Sequence, residues 1–234
     1  MKRLEMGINC YLEGDSNSAE RILLDYIKHE PSPMSGAYYY MGLICDDAGK
    51  VPEAGSYFQR AVELEPNKSL YHYHLGIVYS QLMLFPQAIE HLEKTLQQNP
   101  EHVRAYFMLG LIYLKNGDLE RAAVQFRNVI GISPEYALAH YELGNTLYYS
   151  GDIAGAEIAF ARALELNSEI QEAHRKLGMI YSDKGEYPQA LQHIDKAIKL
   201  GMNDTSFIRE FAAKLETAGM NDDADRLLHQ VTLQ

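Results

Sequence analysis

The chain is poor in the features that mark most functions. It has two cysteines in 234 residues, Cys10 and Cys45. That is too few for a disulfide framework, and the pair fits no zinc-ligand spacing. Buried reduced thiols behave as small hydrophobes and favour a reducing, cytoplasmic compartment. No apolar run approaches the ~18 residues of a spanning helix, so no membrane insertion is expected. The opening MKRLEMGINCYLEGD has neither an apolar h-region nor a small-residue cleavage site, and does not read as a secretory signal.

Positive charge is also short. There are 21 Lys and Arg against 32 Asp and Glu, a net charge of −11. Such a chain lacks the basic face that nucleic acid or anionic lipid requires, so neither is an expected partner. The acid sits toward both ends, while residues 69–136 are nearly balanced at 5 basic against 6 acidic. A solvated outer face accounts for it. No HExxH, glycine-rich phosphate loop or nucleophile elbow is present. The pairs Asp46-Asp47 and Asp222-Asp223 are adjacent in sequence and do not converge on a substrate. The expectation is no enzyme, no catalytic residue, no cofactor and no metal.

What the chain does have is a period. Ala19, Ala54, Ala88, Ala122, Ala156, Ala190 and Ala224 are separated once by 35 residues and then always by 34. Twelve residues before each stands Gly7, Gly42, Gly76, Gly110, Gly144, Gly178 or Ala212. One structural unit is copied seven times, over approximately 1–34, 35–68, 69–102, 103–136, 137–170, 171–204 and 205–234, in one array spanning 1–234. In the third copy Leu75, Val78, Tyr79 and Leu82 follow helical spacing, as do Ala88, Ile89, Leu92 and Leu96 after a short break. Each copy therefore reads as helix, turn, helix. Gly and Ala let the two helices approach, and larger residues there would cost roughly 1–3 kcal/mol in overpacking.

The breaks hold Gly14, Gly49, Gly117, Gly151, Gly185 and Gly219, suited to end the first helix with positive φ. Pro52, Pro86 and Pro188 suit the first turn of the second helix. Pro31, Pro66, Pro100 and Pro134 close the second helix of copies one to four; Asn167-Ser168 and Asn203-Asp204 replace this proline as caps for the next helix. Copy three has Met83 where the others have glycine. Either Met83 bears a left-handed backbone at roughly 1 kcal/mol or more, or the turn rearranges and packs Leu84 inward. The rearranged turn is the expectation.

Leu75-Gly76 with Tyr79, Ala122 with Phe126, Ala156 with Phe160 and the closing Pro134 resemble the tetratricopeptide-repeat signature, over the whole chain. The resemblance implies an all-α, right-handed solenoid of about seven antiparallel helix pairs, whose first helices line a concave groove that binds partner segments. In that family the groove residues stand six and three before the repeat glycine and one, four and five after it.

Six before, this chain supplies Leu70, Arg104 and Leu138. Three before come Leu4, Tyr39, Tyr73, Phe107, Tyr141, Arg175 and Arg209. One after come Ile8, Leu43, Ile77, Leu111, Asn145 and Met179, and four after come Leu114 and Tyr148. An aliphatic and aromatic strip runs through the first copies and turns basic in the last two. The expected function is a non-catalytic scaffold whose groove takes a partner protein's helix or apolar segment. An acidic flank of that partner would suit Arg175, Lys176 and Arg209, although Glu172, Asp183 and Glu210 stand ready to neutralise them.

The lysine and asparagine clamp of chaperone-tail binders is missing. The alternatives are a self-assembling structural protein, joined through the groove or an uncapped C-terminal helix exposing Leu227, Leu228, Val231 and Leu233, and the regulatory arm of a larger enzyme or complex. His72, His140 and His174 lie four before a repeat glycine, where other copies have Tyr38 and Tyr106, and read as satisfied core histidines.

Overall fold

The computed structural model describes residues 2–232, with side chains as far as His229. Every regular element among the described residues is a helix. The seven pairs are α1 (Lys2–Leu12) with α2 (Ser16–His29), α3 (Ser35–Asp47) with α4 (Val51–Leu64), α5 (Ser69–Gln81) with α6 (Phe85–Gln98), α7 (Val103–Lys115) with α8 (Leu119–Ile132), α9 (Ala137–Ser150) with α10 (Ile153–Leu166), α11 (Gln171–Asp183) with α12 (Tyr187–Lys199), and α13 (Thr205–Thr217) with α14 (Asn221–Thr232). The fold is an all-α solenoid. It packs as two compact units, Met1–Asn128 and Val129–Gln234.

α6 shows why these segments are helical. Pro86 sits in its first turn, where a missing N–H costs no hydrogen bond. Ala88, Leu92 and Thr95 recur at i, i+4 and i+7 and are buried, while Gln87, Glu90 and Glu93 face water. The Asn99 N–H closes the helix on the Thr95 carbonyl at 2.9 Å. Pro52 and Pro188 occupy the same first-turn position in α4 and α12.

Within each unit the cores lie between a helix pair and the first helix of the next. In the first unit, Leu23 and Tyr26 of α2 pack with Met41 and Ile44 of α3, and Phe58 and Val62 of α4 with Tyr71 and Val78 of α5. In the second, Phe160 packs with Leu177 and Ile180, and Ile194 with Ile208 and Phe211. All seven repeat alanines are fully buried.

The reason for the glycine is sharper than a close helix approach alone. A Cβ on Gly42 would lie 2.5 Å from the Phe58 ring, and one on Gly144 would lie 2.7 Å from Phe160. In the six copies that have the glycine, the side chain four residues after the repeat alanine fills the space where that Cβ would be. Leu92 does so over Gly76, with the Ala88 carbonyl 3.3 Å away.

The six turn glycines have φ between 71° and 87°. Met83 keeps the same left-handed turn, at φ 59°. The expected rearrangement does not occur: Leu84 is 40% exposed. The Leu84 N–H still bonds the Tyr79 carbonyl at 2.8 Å, just as Asp118 bonds Tyr113 in the next copy. The turn's hydrogen bonds hold it in place, so the strain stays on Met83.

Asp204 caps α13, its carboxylate accepting the Phe207 N–H at 3.0 Å. Ser168 does not cap α11, whose N-cap residue is Ile170. Cys45 is buried, which pushes its thiol pKa up, and Cys10 is half-buried. Leu227 is fully buried and Leu228 packs against the same core, so neither forms an open apolar end. Val231 and Leu233 lie outside the described side chains.

Candidate functional site

The two principal positions expected to line a groove differ in burial in the first copies, although four residues apart on one helix stripe. Three before the glycine, the side chains are largely packing groups. Leu4, Tyr39 and Tyr73 are buried, with Tyr39 only 8% exposed, and Phe107 is half-buried. Tyr39 has its ring centre 5.8 Å from Phe58, and Phe107 lies 5.7 Å from Phe126. These are the residues that cover the repeat glycines, so this ladder supports the close helix contact.

One after the glycine, Ile8, Leu43, Ile77 and Leu111 are all half-buried, as is Leu114, so the two positions differ in the first three copies and not in the fourth, where Phe107 is half-buried too. Leu70 is 40% exposed and Arg104 is open to solvent on α7. The first unit thus carries an aliphatic strip above an aromatic floor.

A cleft of about 320 Å³ opens onto that strip, between α1 and the N-terminal ends of α3 and α5. Leu4, Ile8, Met34, Tyr39 and Leu70 form its apolar walls. Ser35, Glu65, Lys68 and Tyr71 form a polar wall whose groups are spent on one another. The Ser35 hydroxyl donates to Glu65 and lies 3.0 Å from the Tyr71 hydroxyl. Lys68 is 3.4 Å from Glu65 and 4.9 Å from the centre of the Tyr71 ring. The Ser35 hydrogen bond, with help from Lys68, holds the Glu65 carboxyl below its ordinary pKa. Beneath, the Tyr39 hydroxyl meets His74 Nε2 at 3.2 Å. Burial, reinforced by His102, lowers His74 to about 4, and burial raises Tyr39. None of this polar set was visible in the repeat pattern. Ser35, Glu65 and Lys68 stand at helix ends, outside the positions that the period marks.

In the second unit Leu138 is exposed, while Tyr141 is half-buried against Phe160. Asn145 is buried and donates to Glu142 at 3.2 Å. Burial raises the pKa of that carboxyl. Tyr148 and Met179 are half-buried, and Lys176 lies 4.5 Å above the Tyr148 ring. Arg175 pairs with Asp204 at 3.0 Å and lies over Phe207. The neutralising acid is thus Asp204, which the sequence had suggested only as a cap. Asp183 and Glu210 instead pair with Lys214. Arg209 is exposed.

The core histidines have partners that the sequence reading did not name. His72 Nδ1 lies 2.9 Å from His91 Nδ1, and His174 Nδ1 lies 2.9 Å from His193 Nδ1. The signal was present, since His91 and His193 each stand 19 residues after their partner. Among the described residues no group of three or more His, Cys, Asp or Glu side chains is placed to hold a metal, and no helix is long and apolar enough to cross a membrane.

Solved structures share this architecture. MamA from Desulfovibrio magneticus RS-1 is 24% identical with a TM-score of 0.67, over 73% of this chain and 97% of its own. PilF from Pseudomonas aeruginosa is 20% identical with a TM-score of 0.71, over 82% and 88%. YrrB, described as a TPR protein with an unusual peptide-binding site, is 20% identical with a TM-score of 0.66, over 84% and 97%. At these identities the likeness is one of fold. No curated protein matches the sequence. Tetratricopeptide-repeat family models match residues 35–68, 73–137 and 141–205, well over half of the chain. The chain belongs to the tetratricopeptide-repeat family.

Proposed function

We propose that the protein is a non-catalytic scaffold, and that the strip of its first unit receives the apolar face of a partner protein's helix. The observation that supports this reading is that aliphatic residues recur at one position in four successive copies, Ile8, Leu43, Ile77 and Leu111, and that each stays only partly buried. An aliphatic strip left open beside an apolar cleft is a surface that a partner can bury. An amphipathic helix presents apolar side chains at i, i+3, i+4 and i+7, which suits such a row. Met34 and Leu70 at the cleft rim would grip one bulky apolar side chain. Arg104, exposed on the same helix as Phe107 and Leu111, suits an acidic residue flanking that face. Arg175 is less available for this role, being paired with Asp204. The peptide-binding description of YrrB is consistent with such a role. A reducing, cytoplasmic setting fits the free thiols of Cys10 and Cys45.

The test is the double variant Ile77→Asn with Leu111→Asn. Both side chains are already half-exposed, so the helical circular-dichroism spectrum should be retained. Proteins captured from native lysate by the wild type should be lost from the variant. Equal capture by a folded variant would sink the groove reading. Sedimentation over a concentration range identifies the other occupant: association of the wild type that the double substitution abolishes would mean that the strip binds a second copy of the chain.

A further inference from the structure

Two histidine pairs recur at the same place in copies three and six. His72 and His174 are 102 residues apart, as are His91 and His193, which is three periods of 34. Each pair joins the two helices of its repeat, α5 to α6 and α11 to α12. A tyrosine lies against the second ring in both: Tyr79 at 5.5 Å from His91, and Tyr181 at 5.6 Å from His193.

The hydrogen bonds determine the protons. His72 Nε2 is 2.8 Å from the Pro66 carbonyl, and His174 Nε2 is 3.2 Å from the Ser168 carbonyl. A carbonyl only accepts, so both Nε2 atoms carry hydrogen and both partnering Nδ1 atoms of the neutral rings are lone pairs. His91 and His193 must then donate from Nδ1. The ring centres are 5.1 Å apart while the nitrogens are 2.9 Å apart, so the rings meet end to end. A metal bridging two collinear imidazoles would hold their nitrogens roughly 4 Å apart. The gap therefore takes one proton and no metal. Copy five supplies an internal contrast: His140 keeps the carbonyl bond, to Pro134 at 2.9 Å, but Ala159 stands where the second histidine would be.

We propose that these two pairs are acid-sensitive latches: when neutral, each ties its helix pair together through a single N–H···N bond, and acidification releases it. The first added proton goes to the free Nε2 of the half-buried His91 or His193 and leaves the N–H···N bond in place. A further proton has only Nδ1 of His72 or His174, which becomes free when the helix pair opens, so acid favours the opened pair. The groups acting on the first pair are Tyr79 of α5 and Glu90 and Lys94 of α6, and the two charges oppose one another. On the second they are Lys196 of α12 and Tyr181 of α11, whose hydroxyl is tied to Glu157 of α10. Burial lowers His91 and His193 to about 4, with the partnering ring adding to it. An unfolded histidine titrates near 6.5. Neutral rings are favoured in the fold, so the stability they contribute is complete above about 6.5 and is lost as pH falls from there toward 4. The loosened helices α5 and α11 carry Ile77 and Met179, so acid would act on the inner face directly.

The test begins with imidazole nitrogen NMR of the whole chain at pH 7.5. His72 and His174 should be Nε2–H tautomers, and His91 and His193 Nδ1–H. Hydrogen exchange is then followed from pH 8 to pH 5, corrected for the intrinsic exchange rate. Opening of α5–α6 and α11–α12 should grow as pH falls, by up to about tenfold per pH unit for His91 and likewise for His193, ahead of α3–α4. Substituting His72→Tyr, His91→Tyr, His174→Tyr and His193→Tyr installs the Tyr38 and Tyr57 pair of copy two and should remove the selective opening of α11–α12 and reduce that of α5–α6, where His74 remains. Should that variant fail to fold, His91→Gln with His193→Gln keeps a donor to Nδ1 but removes the ring that takes the first proton, and should weaken the opening. The reverse tautomers, or acid opening spread evenly over all helix pairs, would overturn the proposal. His74 of α5, also lowered to about 4, remains in every variant, so α11–α12 is the clean readout.

Discussion

Met83 offers a direct measurement of backbone strain in one turn. Six equivalent turns hold glycine at φ 71–87°, and Met83 adopts φ 59° in the seventh. A side chain in the left-handed region costs roughly 1–2 kcal/mol. Met83→Gly removes that strain but enlarges the unfolded ensemble, which takes back roughly 0.4–1 kcal/mol. Met83 is 62% exposed, so little packing is lost with it. The expected net gain is about 0.5–1 kcal/mol. For a transition involving 150–250 residues this raises the melting temperature by about 1–4 °C. The assay is thermal unfolding followed by circular dichroism, with amide exchange at α5 and α6 to place the gain locally. Met83→Asn supplies an independent check, because asparagine tolerates the left-handed region while retaining a side chain. The reciprocal change, Gly151→Met, should lower the melting temperature. An unchanged or lower value for both Met83 variants would refute the argument, since it would mean that the side chain's contacts outweigh the strain.

Gly144→Ala places a Cβ 2.7 Å from the Phe160 ring and should destabilise by about 1 kcal/mol, overpacking of roughly 1–3 kcal/mol outweighing a helix-propensity gain of up to roughly 1 kcal/mol. Gly36→Ala, with nothing within 4 Å of the added carbon, should be neutral or stabilising by the same melting assay. Asp204→Ala should cost about 0.5–2 kcal/mol through loss of the α13 cap. The Phe207 N–H, followed by Arg175, holds the Asp204 pKa below its ordinary value. Its contribution is therefore complete above about 4 and is lost as pH falls through the lowered folded value, so the gap between wild type and variant in urea melts should narrow as pH falls below about 4.

The glycine and alanine spacing made the helix pairs, their turns and their first-turn prolines readable without coordinates. Each of those positions answers to a partner within its own copy: Gly42 to Phe58, Gly76 to Leu92, Gly144 to Phe160. Burial on the inner face was not readable in the same way. Tyr39 and Leu43 share one helix stripe, yet one is sunk and the other half-open. The difference comes from the aromatic four residues after the alanine, and from the next helix: Tyr71 lies 5.0 Å from Tyr39. A period describes one copy, whereas exposure depends on how its neighbour covers it. The histidine pairs show the converse case. Their 19-residue offset was on the page twice, but only the distance between rings distinguishes a hydrogen-bonded pair from two independent core residues.

The basic end of the array shows how the fold can consume a feature that looks functional in sequence. The residue before each first helix is Lys68, His102, Tyr136, Ile170 and Asp204 in copies three to seven. Of these only Asp204 is a carboxylate, and it accepts the Phe207 N–H. A carboxylate fixed at that corner also lies beside Arg175, and the two pair at 3.0 Å. Lys176 meanwhile rests on Tyr148 and Tyr149. Two of the three bases that suggested an acidic partner are thus already engaged by groups of the same unit. A partner carboxylate would have to compete with Asp204 Oδ2 for Arg175, while Asp204 Oδ1 keeps the helix end. The aliphatic residues of the first unit face no such competitor, because an exposed Leu70 or half-exposed Ile77 gives up only water when covered. Apolar recognition by the first unit therefore has the stronger physical basis than charge recognition by the second.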